Sequence, residues 1–459
     1  MTEKEIQNII QLQRNYFATG KTLPVENRLA ALRKLYSTIK KRQSDIQAAL
    51  NKDLGKSAME AYMCEIGLGL SEISYMIKHT AALARPKKKS TPIALQPASS
   101  YVKPVPYGVV LIMSPWNYPF LLSVDPLADA IAAGNTVILK PSAYSPATSA
   151  LVEEILTDIF PPEYVSVVTG GRAENQALLQ QKFDMIFFTG SQTVGKTVLH
   201  AAADHLTPAV LELGGKSPCI IDATANLKRA AQRIVWGKFL NLGQTCVAPD
   251  YILCQESIRD ALIEEIELQI RKQFGKKPLD NKNYGKIISG KHFDRIIRLI
   301  DPGKVIIGGK ANKARLQIEP TVMTYVNWDD PVMQEEIFGP VLPVLTFTDI
   351  KDIPALLSDK QKPLAFYVFS KDKKNIHLLF SRCQFGGGCV NDVIIHLATS
   401  AMGFGGVGES GMGSYHGEDG FRAFSHQKSI VEKKDYVEFP LRYQPYRKLY
   451  GKVINVFVK

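Results

Sequence analysis

Apolar residues in the first eighty positions recur at the three- and four-residue spacing of an amphipathic helix. The spacing is clearest through Leu29, Leu32 and Leu35, and few Gly or Pro residues interrupt it. This pattern predicts helices across residues 1–80. Between residues 84 and 106 it gives way to short alternating runs with five prolines, which predicts an extended excursion from the body of the protein.

Apolar runs alternate with helical segments from residue 107 onward. The first run is apolar at every position, as expected for a strand that is buried on both faces of a sheet. Five such runs alternate with four helical segments, near 124–133, 147–159, 173–180 and 193–205, and this alternation predicts a doubly wound parallel sheet. The five strands are predicted at Val109–Met113, Thr136–Leu139, Val165–Val168, Met185–Phe188 and Ala209–Leu213.

A second α/β region follows between about residues 214 and 395, and no internal repeat relates it to the first. Residues 402–413 are rich in glycine, and the chain ends in a basic, aromatic stretch with a β-like pattern at Val453–Val458. The strand candidates of the second region are Cys219–Ile221, Tyr251–Cys254, Val305–Ile307, Val341–Leu345, Leu364–Phe369 and Gly388–Asn391.

The composition indicates a globular chain that is too long for one core. Of its 459 residues, 45% are hydrophobic and 22% are charged, so two or three packed units are expected. The net charge of +12 comes from residues that are dispersed, apart from Lys87–Lys89 and the stretch from Arg442 onward. Because no nucleic-acid motif accompanies this charge, we interpret most of it as a solvated surface and expect no nucleic-acid partner.

The six cysteines show neither the paired spacing of a metal site nor the density of a disulfide framework. The charged N-terminus lacks the apolar core of a signal peptide, and no stretch reaches the roughly 18–20 apolar residues that a membrane helix needs. These features predict a reduced, cytoplasmic protein without a metal.

A turn of small residues lies between the fourth predicted strand and its helix. This turn, Gly190–Gly195, places free N–H groups and the positive end of a helix where a pyrophosphate could bind. Ser191 could instead be a plain helix N-cap, and these six residues alone favour that interpretation. Ser114–Asn117 and Lys140–Ser142 follow the first two strands at the same carboxyl edge, where open α/β sheets bind ligands. Lys140 is interpreted either as a partner for sugar or phosphate groups or as a surface lysine.

Cys246, Glu212 and Asn117 are the candidates for covalent chemistry. Cys246 lies among small and polar residues that a substrate could reach, and we give equal weight to a nucleophile and a structural thiol. Glu212, at the end of a buried strand, could be a general base with a raised pKa or the partner of a buried cation. Asn117 could donate to an oxyanion or simply form a turn. The structural interpretation fits three other cysteines better, because they lie in apolar runs: Cys219, Cys254 and Cys389.

Six motifs occur in an order that resembles the aldehyde dehydrogenase superfamily, and the resemblance covers about residues 5–440. The motifs are Pro115–Asn117, Lys140–Ser142, Gly190–Gly195, Leu211–Gly215, Gly243–Cys246 and Glu335–Pro340. Three further segments and the short N-terminus resemble its class 3 branch, which acts on fatty or aromatic aldehydes. These segments are Cys246–Tyr251, Asn391–Val393 and Ser410–Gly417.

The resemblance implies a role for each chemical candidate. Cys246 would attack the aldehyde carbon, and the Asn117 amide together with the Cys246 N–H would hold the oxyanion. Hydride transfer to a nicotinamide cofactor, NAD or NADP, would leave a thioester. Water activated by Glu212 would then hydrolyse this thioester to the carboxylic acid.

Cofactor and substrate residues follow from the same resemblance. Glu336 would bind the nicotinamide ribose, Phe338 would pack beside the ring, and Lys140 would bind the adenosine ribose. The pyrophosphate would lie along Gly190, Ser191 and Gly195. The other cofactor residues implied are Ser114, Trp116 and Val194, and the aldehyde pocket would include Tyr118, Thr245 and Val247.

The fold class expected from the resemblance is α/β and has three parts, which are a Rossmann-like parallel-sheet cofactor domain, an α/β catalytic domain and a small β oligomerisation extension. A homodimer is implied as well. The cofactor domain would take residues 1–83 and 107–211, with 398–428 returning to it, and the catalytic domain residues 212–397. The extension would take 84–106 and 429–445, followed by a basic tail at 446–459.

Two positions depart from the family pattern. NAD-preferring relatives carry Glu where this chain has Ala143, so a carboxylate that bonds the ribose hydroxyls and would repel a 2′-phosphate is missing. We therefore predict that NADP is accepted as well as NAD. Animal class 3 members carry His where this chain has Ser400, near the substrate entrance, so the sequence leaves the physiological aldehyde open.

Three alternatives concern the activity and the tail. A CoA-acylating enzyme of the same fold would pass the acyl group to CoA, but Glu212 favours hydrolysis by water. A catalytically silent homologue is disfavoured because Cys246, Glu212 and Asn117 are intact. The basic tail could touch an anionic membrane surface, although a solvated or dimer-packing tail is favoured.

Overall fold

The computed structural model describes residues 1–438, 442–447, 449 and 451. The strands of this part of the chain are β1 (Lys87–Lys89), β2 (Ala98–Pro106), β3 (Val109–Met113), β4 (Thr136–Lys140), β5 (Val165–Val167), β6 (Met185–Gly190), β7 (Ala209–Leu213), β8 (Pro218–Ile221), β9 (Tyr251–Gln255), β10 (Val305–Ile307), β11 (Ala311–Asn312), β12 (Gln317–Ile318), β13 (Thr321–Met323), β14 (Val341–Phe347), β15 (Ala365–Phe369), β16 (Gly387–Val390), β17 (Gly411–Met412) and β18 (Ser425–Lys433). The α-helices are α1 (Glu3–Ala18), α2 (Val25–Lys41), α3 (Gln43–Leu54), α4 (Ala58–Ala61), α5 (Gly67–Leu83), α6 (Leu121–Ala133), α7 (Pro146–Ile159), α8 (Arg172–Leu179), α9 (Gln192–His205), α10 (Leu227–Phe239), α11 (Arg259–Phe274), α12 (Gly290–Arg298), α13 (Pro331–Gln334), α14 (Ile353–Leu356), α15 (Lys373–Arg382) and α16 (Gly417–Ala423).

The first sheet has the strand order β17-β7-β6-β3-β4-β5, and only β17 runs antiparallel to its neighbour. All five parallel strands that the sequence predicts are present, with ends that differ by at most two residues. Strand β3 pairs with β4 on one side and with β6 on the other. The direction of sheet growth therefore reverses at β3, and such a switch point opens a crevice at the carboxyl ends of the strands.

Helices cover both faces of this sheet, which explains the continuous apolar runs. Val110 and Ile112 of β3 point into a core shared with α2, α5 and α6. Val109 and Leu111 point to the other face, where they pack with residues of α1 and α9. Alternate residues of a strand face opposite sides, so a strand between two helical layers needs apolar residues at every position.

The second sheet has the order β10-β13-β14-β9-β8-β15-β16, and its strands are parallel except for β10. The six strands predicted for this region are present, within one or two residues of their predicted ends. The sequence analysis missed β13, which forms directly after Pro320 and is only three residues long. Thr321–Met323 is not a continuous apolar run as Val305–Ile307 is, and its pairing with β14 holds it in the sheet.

A separate antiparallel sheet, β1-β2-β18, is built from the proline-rich excursion and a late segment of the chain. Strand β18 pairs with β2 over nine residues, from Ser425 opposite Pro106 to Lys433 opposite Ala98. The domain bound predicted between residues 428 and 429 thus falls inside one strand. The predicted strand at Val453–Val458 lies outside the described residues. No helix in the described part of the chain is long and apolar enough to cross a membrane.

Candidate active site

A cleft of about 860 Å³ opens at the switch point of the first sheet and extends between the two sheets. Its walls come from the turns after β3, β6 and β7, from the loop before β9, and from α12 and the segment after α13. Eight of the residues predicted for the site line this cleft: Trp116, Asn117, Gly190, Ser191, Glu212, Cys246, Glu336 and Phe338.

Cys246 reaches the cleft because the chain turns sharply between α10 and β9. Asn241, Leu242 and Gly243 have consecutive φ values of 49°, 53° and 72°, a left-handed run that is costly for residues with side chains. Gly243 cannot carry a side chain, since a Cβ atom there would overlap the carbonyl oxygen of Gly339. The turn leaves Cys246 partly exposed between buried neighbours. The strain indicates that tertiary contacts hold this loop in place.

The thiol of Cys246 has a raised pKa. Burial raises this pKa to about 12, and the nearby carboxylates of Glu336 and Glu212 add to the rise. The backbone N–H groups of Cys246 and Val247 oppose it, because they stabilise the thiolate. The thiol is therefore protonated at neutral pH in the free protein, so a nucleophilic role requires a base to remove this proton.

Glu212 combines deep burial with a lack of partners. It lies on β7 between Thr189 of β6 and Gly411 of β17, and its side chain is 3% exposed. Neither carboxylate oxygen has a hydrogen-bond partner among the described residues, so no cation there explains its burial. Burial raises the pKa of Glu212 well above its ordinary value. A carboxylate whose pKa is raised in this way is a stronger base than an exposed one.

Asn117 lies in the turn between β3 and α6 and is held from two segments of the chain. Its Nδ2 donates to the carbonyl oxygen of Gln244 at 3.1 Å. Its own carbonyl oxygen accepts from Asn241 Nδ2 and from Lys56 Nζ, each at 2.9 Å. An amide nitrogen carries two protons, so one remains for a group in the cleft that Asn117 lines.

The N-terminus of α9 faces the cleft, and its first residues serve two purposes. Ser191 is the N-cap, and its hydroxyl oxygen accepts from the N–H of Val194 at 3.4 Å. Gly195 packs under Leu213, whose Cδ2 would lie 2.8 Å from a Cβ atom at that position. Ser191 is therefore an N-cap, which is compatible with either interpretation of this turn. The same geometry leaves free N–H groups of the helix beside the cleft, as an anion site requires.

Lys140 is not a surface residue, so the surface-lysine interpretation is wrong. Its side chain is 3% exposed, and Nζ donates to the carbonyl oxygens of Pro141 and Gly170 at 2.9 and 2.8 Å. Burial lowers the pKa of Lys140 to about 8. Ser114 is also buried, and its N–H donates to the Lys140 carbonyl oxygen at 3.0 Å. Neither residue is among those that line the cleft.

Glu336 and Phe338 form the wall opposite α9. The carboxylate of Glu336 lies against Gly214, where a Cβ atom would overlap it, and accepts from the N–H of Gly215. Burial raises the pKa of Glu336 to about 8. The ring of Phe338 meets Trp116 edge to face, with the two centroids 5.3 Å apart. This wall offers one carboxylate and two aromatic rings to a flat, polar ligand.

Three residues of the same wall were missed by the sequence analysis. His292 lies 4.9 Å from Trp116 between ring centroids, and burial lowers its pKa to about 4. Arg295 donates to the carbonyl oxygens of Glu336 and Ile337 at 3.2 and 2.6 Å. Lys216 donates to the carbonyl oxygen of Glu335 at 2.9 Å. No local motif could indicate the first two, because α12 meets this segment only in the folded chain.

Tyr118, Thr245 and Val247, which were predicted for the aldehyde pocket, do not line the cleft. The hydroxyl oxygens of Tyr118 and Thr245 lie 2.6 Å apart and are buried, and Val247 is fully buried in the core. In this structure they support the segments that carry Asn117 and Cys246, and their contact with an aldehyde stays a prediction. No cluster of His, Cys, Asp or Glu able to hold a metal ion occurs in the part of the chain that is described.

Comparison with known proteins gives the family. Residues 1–430 match the model of the aldehyde dehydrogenase family. The chain is 43% identical over 446 residues to 4,4'-diaponeurosporen-aldehyde dehydrogenase of Staphylococcus aureus, with 97% of each chain covered. It is 42% identical over 447 residues to aldehyde dehydrogenase family 3 member A2 of Rattus norvegicus, which covers 96% of this chain and 91% of the relative.

Solved structures show the same fold. A substrate-bound state of Staphylococcus aureus AldH superposes with a TM-score of 0.97 at 42% identity and covers 99% of both chains. An NAD-dependent aldehyde dehydrogenase from Sinorhizobium meliloti superposes with a TM-score of 0.87 at 30% identity, covering 95% of this chain and 88% of the other. The chain belongs to the aldehyde dehydrogenase family. It is an oxidoreductase that acts on the aldehyde group, and its relatives include family 3 members.

Proposed function

We propose that this enzyme oxidises an aldehyde to its carboxylic acid with NAD or NADP, through a covalent intermediate on Cys246. The observation that carries the proposal is the meeting of three groups at one cleft. Cys246 supplies a thiol, Asn117 supplies an amide held by its neighbours, and Glu212 supplies a buried carboxyl group that has no hydrogen-bond partner among the described residues. These groups come from three separate segments of the chain, and general acyl chemistry requires each of their roles.

In the first step, the Cys246 thiol loses its proton to water or hydroxide from the solvent, and the resulting thiolate adds to the carbonyl carbon of the aldehyde. The C–S bond forms as the C=O π electrons move to oxygen, and the Asn117 amide and the Cys246 N–H donate to the resulting oxyanion. A bound nicotinamide cofactor supplies an acceptor for the hydride that leaves this carbon. The carbon is thereby oxidised to a thioester. Donors fixed in advance stabilise this charge without the cost of reorganisation.

In the second step, Glu212 removes a proton from water as the water oxygen attacks the thioester carbon. The C–S bond then breaks, the acid is released, and the thiolate of Cys246 is restored. The raised pKa of Glu212 makes this carboxylate a stronger base than an exposed glutamate. The basic carboxylate in the cleft is the reason to propose hydrolysis by water rather than transfer to CoA.

We propose that a dinucleotide lies along the length of the cleft. The capped N-terminus of α9, at Ser191 with Gly190 before it and Val194 and Gly195 after it, is suited to the pyrophosphate. The carboxylate of Glu336 would bind the nicotinamide ribose, and Phe338 with Trp116 would flank the ring. The space that Gly214 leaves open for Glu336 supports this placement.

We propose that both NAD and NADP are used. Ala143 is exposed in the turn before α7 and carries no charge to repel a 2′-phosphate. Lys140, with Ser114 behind it, lies at the end of β4 beside this turn and would serve the adenosine ribose. Catalytic efficiencies with the two cofactors test the prediction, and we expect them to lie within about tenfold of each other, because one charge contact is worth on the order of 1 kcal/mol. A preference for NAD of a thousandfold or more would contradict it.

The substrate class, assembly and location extend the proposal. The Staphylococcus aureus relative is named for 4,4'-diaponeurosporen-aldehyde. For this chain we propose medium- or long-chain aliphatic or aromatic aldehydes. We also propose a homodimer that uses the β1-β2-β18 sheet, and a cytoplasmic location. Tyr118, Thr245 and Val247 would then support the aldehyde pocket from behind.

A steady-state panel tests the proposed activity. Short, long and aromatic aldehydes are each supplied with NAD or NADP, with and without CoA, and acid and reduced cofactor are measured together. We expect one acid for each reduced cofactor in the absence of CoA. Reduced cofactor that forms only when CoA is present would instead indicate a CoA-acylating enzyme.

A further inference from the structure

Two buried charges lie directly behind the proposed oxyanion donor. Lys56 precedes α4 and is 1% exposed, and Glu65 lies between α4 and α5 and is 0% exposed. Lys56 Nζ donates to Glu65 Oε1 at 2.5 Å. Neither residue lines the cleft, and neither has a place in the chemistry proposed above. An ion pair that is so fully removed from water needs a physical explanation.

The Glu65 carboxylate caps the segment that follows Asn117. Its Oε2 accepts from the N–H groups of Phe120 and Leu121, at 2.9 and 3.2 Å. These N–H groups belong to the N-terminus of α6, where backbone donors lack partners within the helix and negative charge is favoured. Glu65 therefore fixes where α6 begins, at Leu121, four residues after Asn117.

The Lys56 ammonium holds the other end of the same turn. Nζ donates to the carbonyl oxygen of Asn117 at 2.9 Å and lies 4.0 Å from the ring centroid of Tyr118. The Asn117 carbonyl thus has a charged donor that sets the plane of the peptide between Asn117 and Tyr118. The ion pair then ties this peptide to the first turn of α6, because Lys56 and Glu65 are themselves bonded.

A second chain of hydrogen bonds links the turn that contains Asn117 to the loop that carries Cys246. Asn241 Nδ2 donates both to the Asn117 carbonyl oxygen, at 2.9 Å, and to the Gln244 carbonyl oxygen, at 3.1 Å. The Asn241 N–H in turn donates to Glu60 of α4 at 2.9 Å. The hydroxyl contact between Tyr118 and Thr245 closes the network one residue before Cys246. One hydrogen-bond network therefore holds both the turn with Asn117 and the loop with Cys246.

We propose that Lys56 and Glu65 are positioning residues for the reaction, which aim the Asn117 amide at the oxyanion formed on Cys246. This inference rests on the proposed function of Asn117 and Cys246. Stability alone does not account for the pair, since replacing a buried ion pair with apolar residues of similar size is often neutral or stabilising. The position of the Asn117 amide is a separate requirement from stability, because an amide displaced by about an ångström loses much of its effect on an oxyanion.

The test compares two reactions of the same thiol. p-Nitrophenyl acetate acylates Cys246 through a tetrahedral oxyanion, in which the C–S bond forms and p-nitrophenolate leaves. Iodoacetamide alkylates the same sulfur by displacing iodide, and no oxyanion forms. In the variant Lys56→Met/Glu65→Leu we expect acylation to slow about 10- to 100-fold, a large part of the effect of losing one oxyanion donor. Alkylation should stay within about threefold of the wild-type rate, because the thiol itself is unchanged.

A matched control variant and a double-mutant cycle with Asn117→Ala sharpen the comparison of the acylation and alkylation rates. Arg271→Met/Glu267→Leu removes an exposed ion pair of 2.6 Å on α11, a helix with no residue in the cleft lining, and both rates should stay near wild type. Combined with Asn117→Ala, the buried double variant should slow acylation little further, since both changes remove the same contact. If the buried double variant does not fold, Glu65→Gln is measured instead, with a smaller loss of acylation expected.

Two results would overturn the positioning role. One is acylation at the wild-type rate in the folded variant, and the other is an equal loss of acylation and alkylation, which would indicate general disruption of the loop. Failure of the proposed function is distinguishable from both. If wild-type protein acylates rapidly but oxidises no aldehyde with either cofactor, the proposed oxidation fails while the positioning role is still decided by the ratio of the two rates.

Discussion

Asn117 and Glu212 lie on the same cleft and are almost equally buried, 4% and 3% exposed, yet they are held in opposite ways. Asn117 is bonded through both its side chain and its carbonyl group. Both oxygens of Glu212 lack a hydrogen-bond partner in the part of the chain that the structure describes. Burial alone therefore does not decide what a polar group does, and its partners do.

The difference matches what each role requires. An oxyanion donor acts best when it is already aimed, so neighbours that fix its plane increase its effect. A general base must change its protonation state during the reaction, and a strong partner would favour one state over the other. This contrast supports the proposed roles, since Asn117 is fixed by its partners and burial raises the pKa of Glu212.

The largest effect is expected from removing the thiol of Cys246, the proposed nucleophile on whose intermediates Asn117 and Glu212 would act. Cys246→Ala should lower aldehyde oxidation by about 10⁴-fold or more, because neither the donor nor the base has a covalent intermediate to act on. Binding of NAD, measured by calorimetry, should stay close to that of wild type. Substantial residual oxidation by a verified Cys246→Ala protein would show that another nucleophile carries the reaction.

Glu212→Gln should separate the base from the donor. We expect steady-state acid formation to fall about 10²- to 10⁴-fold, since hydrolysis loses its general base. Acyl transfer to Cys246 should still occur, so mass spectrometry should find the acyl group on this residue. Fast turnover without acyl-enzyme would contradict the role of Glu212 in hydrolysis.

Asn117→Ala should slow the step before the thioester. We expect a loss of about 10²- to 10³-fold in kcat/KM, as for the removal of one oxyanion donor, and no accumulation of acyl-enzyme. Asn15→Ala on the exposed surface of α1 serves as the control. An acyl-enzyme that accumulates in the Asn117→Ala variant would place this residue in hydrolysis instead and weaken the contrast with Glu212.

The dependence on pH is the smallest of these effects, and it tests the raised pKa of Glu212. Glu212 acts as a base only when it has lost its proton, and burial raises its pKa, so acyl-enzyme hydrolysis should rise with pH well above the range of an ordinary glutamate. Attack by Cys246 should also rise with pH, because its pKa is raised to about 12. Rapid-quench measurement of hydrolysis alone should show the Glu212 limb, and this limb should vanish in Glu212→Gln. A hydrolysis rate that is already constant above pH 5 would contradict a raised pKa.

The motifs and the parallel strands were accessible from the sequence because each is a local pattern. Buried parallel strands are apolar throughout, so β3 and β7 stand out in the chain, and the turns after them mark the carboxyl edge. The strand β13 was not accessible, because Thr321 interrupts the kind of apolar run that marked the equally short β10. Lys140 was ambiguous because its burial depends on the carbonyl oxygen of Gly170, thirty residues away.

The sequence by itself determined the α/β class and the order of the strands along the chain, and it supplied Cys246, Asn117 and Glu212 as the candidates for the thiol, amide and carboxyl group. Only the tertiary structure decided that Glu212 has no partner in the described chain, and that Lys56 and Glu65 lie behind Asn117. The physical reason is that residue type and spacing fix local conformation and chemistry. The pKa of a buried group and the aim of a donor depend instead on neighbours that folding brings from distant segments.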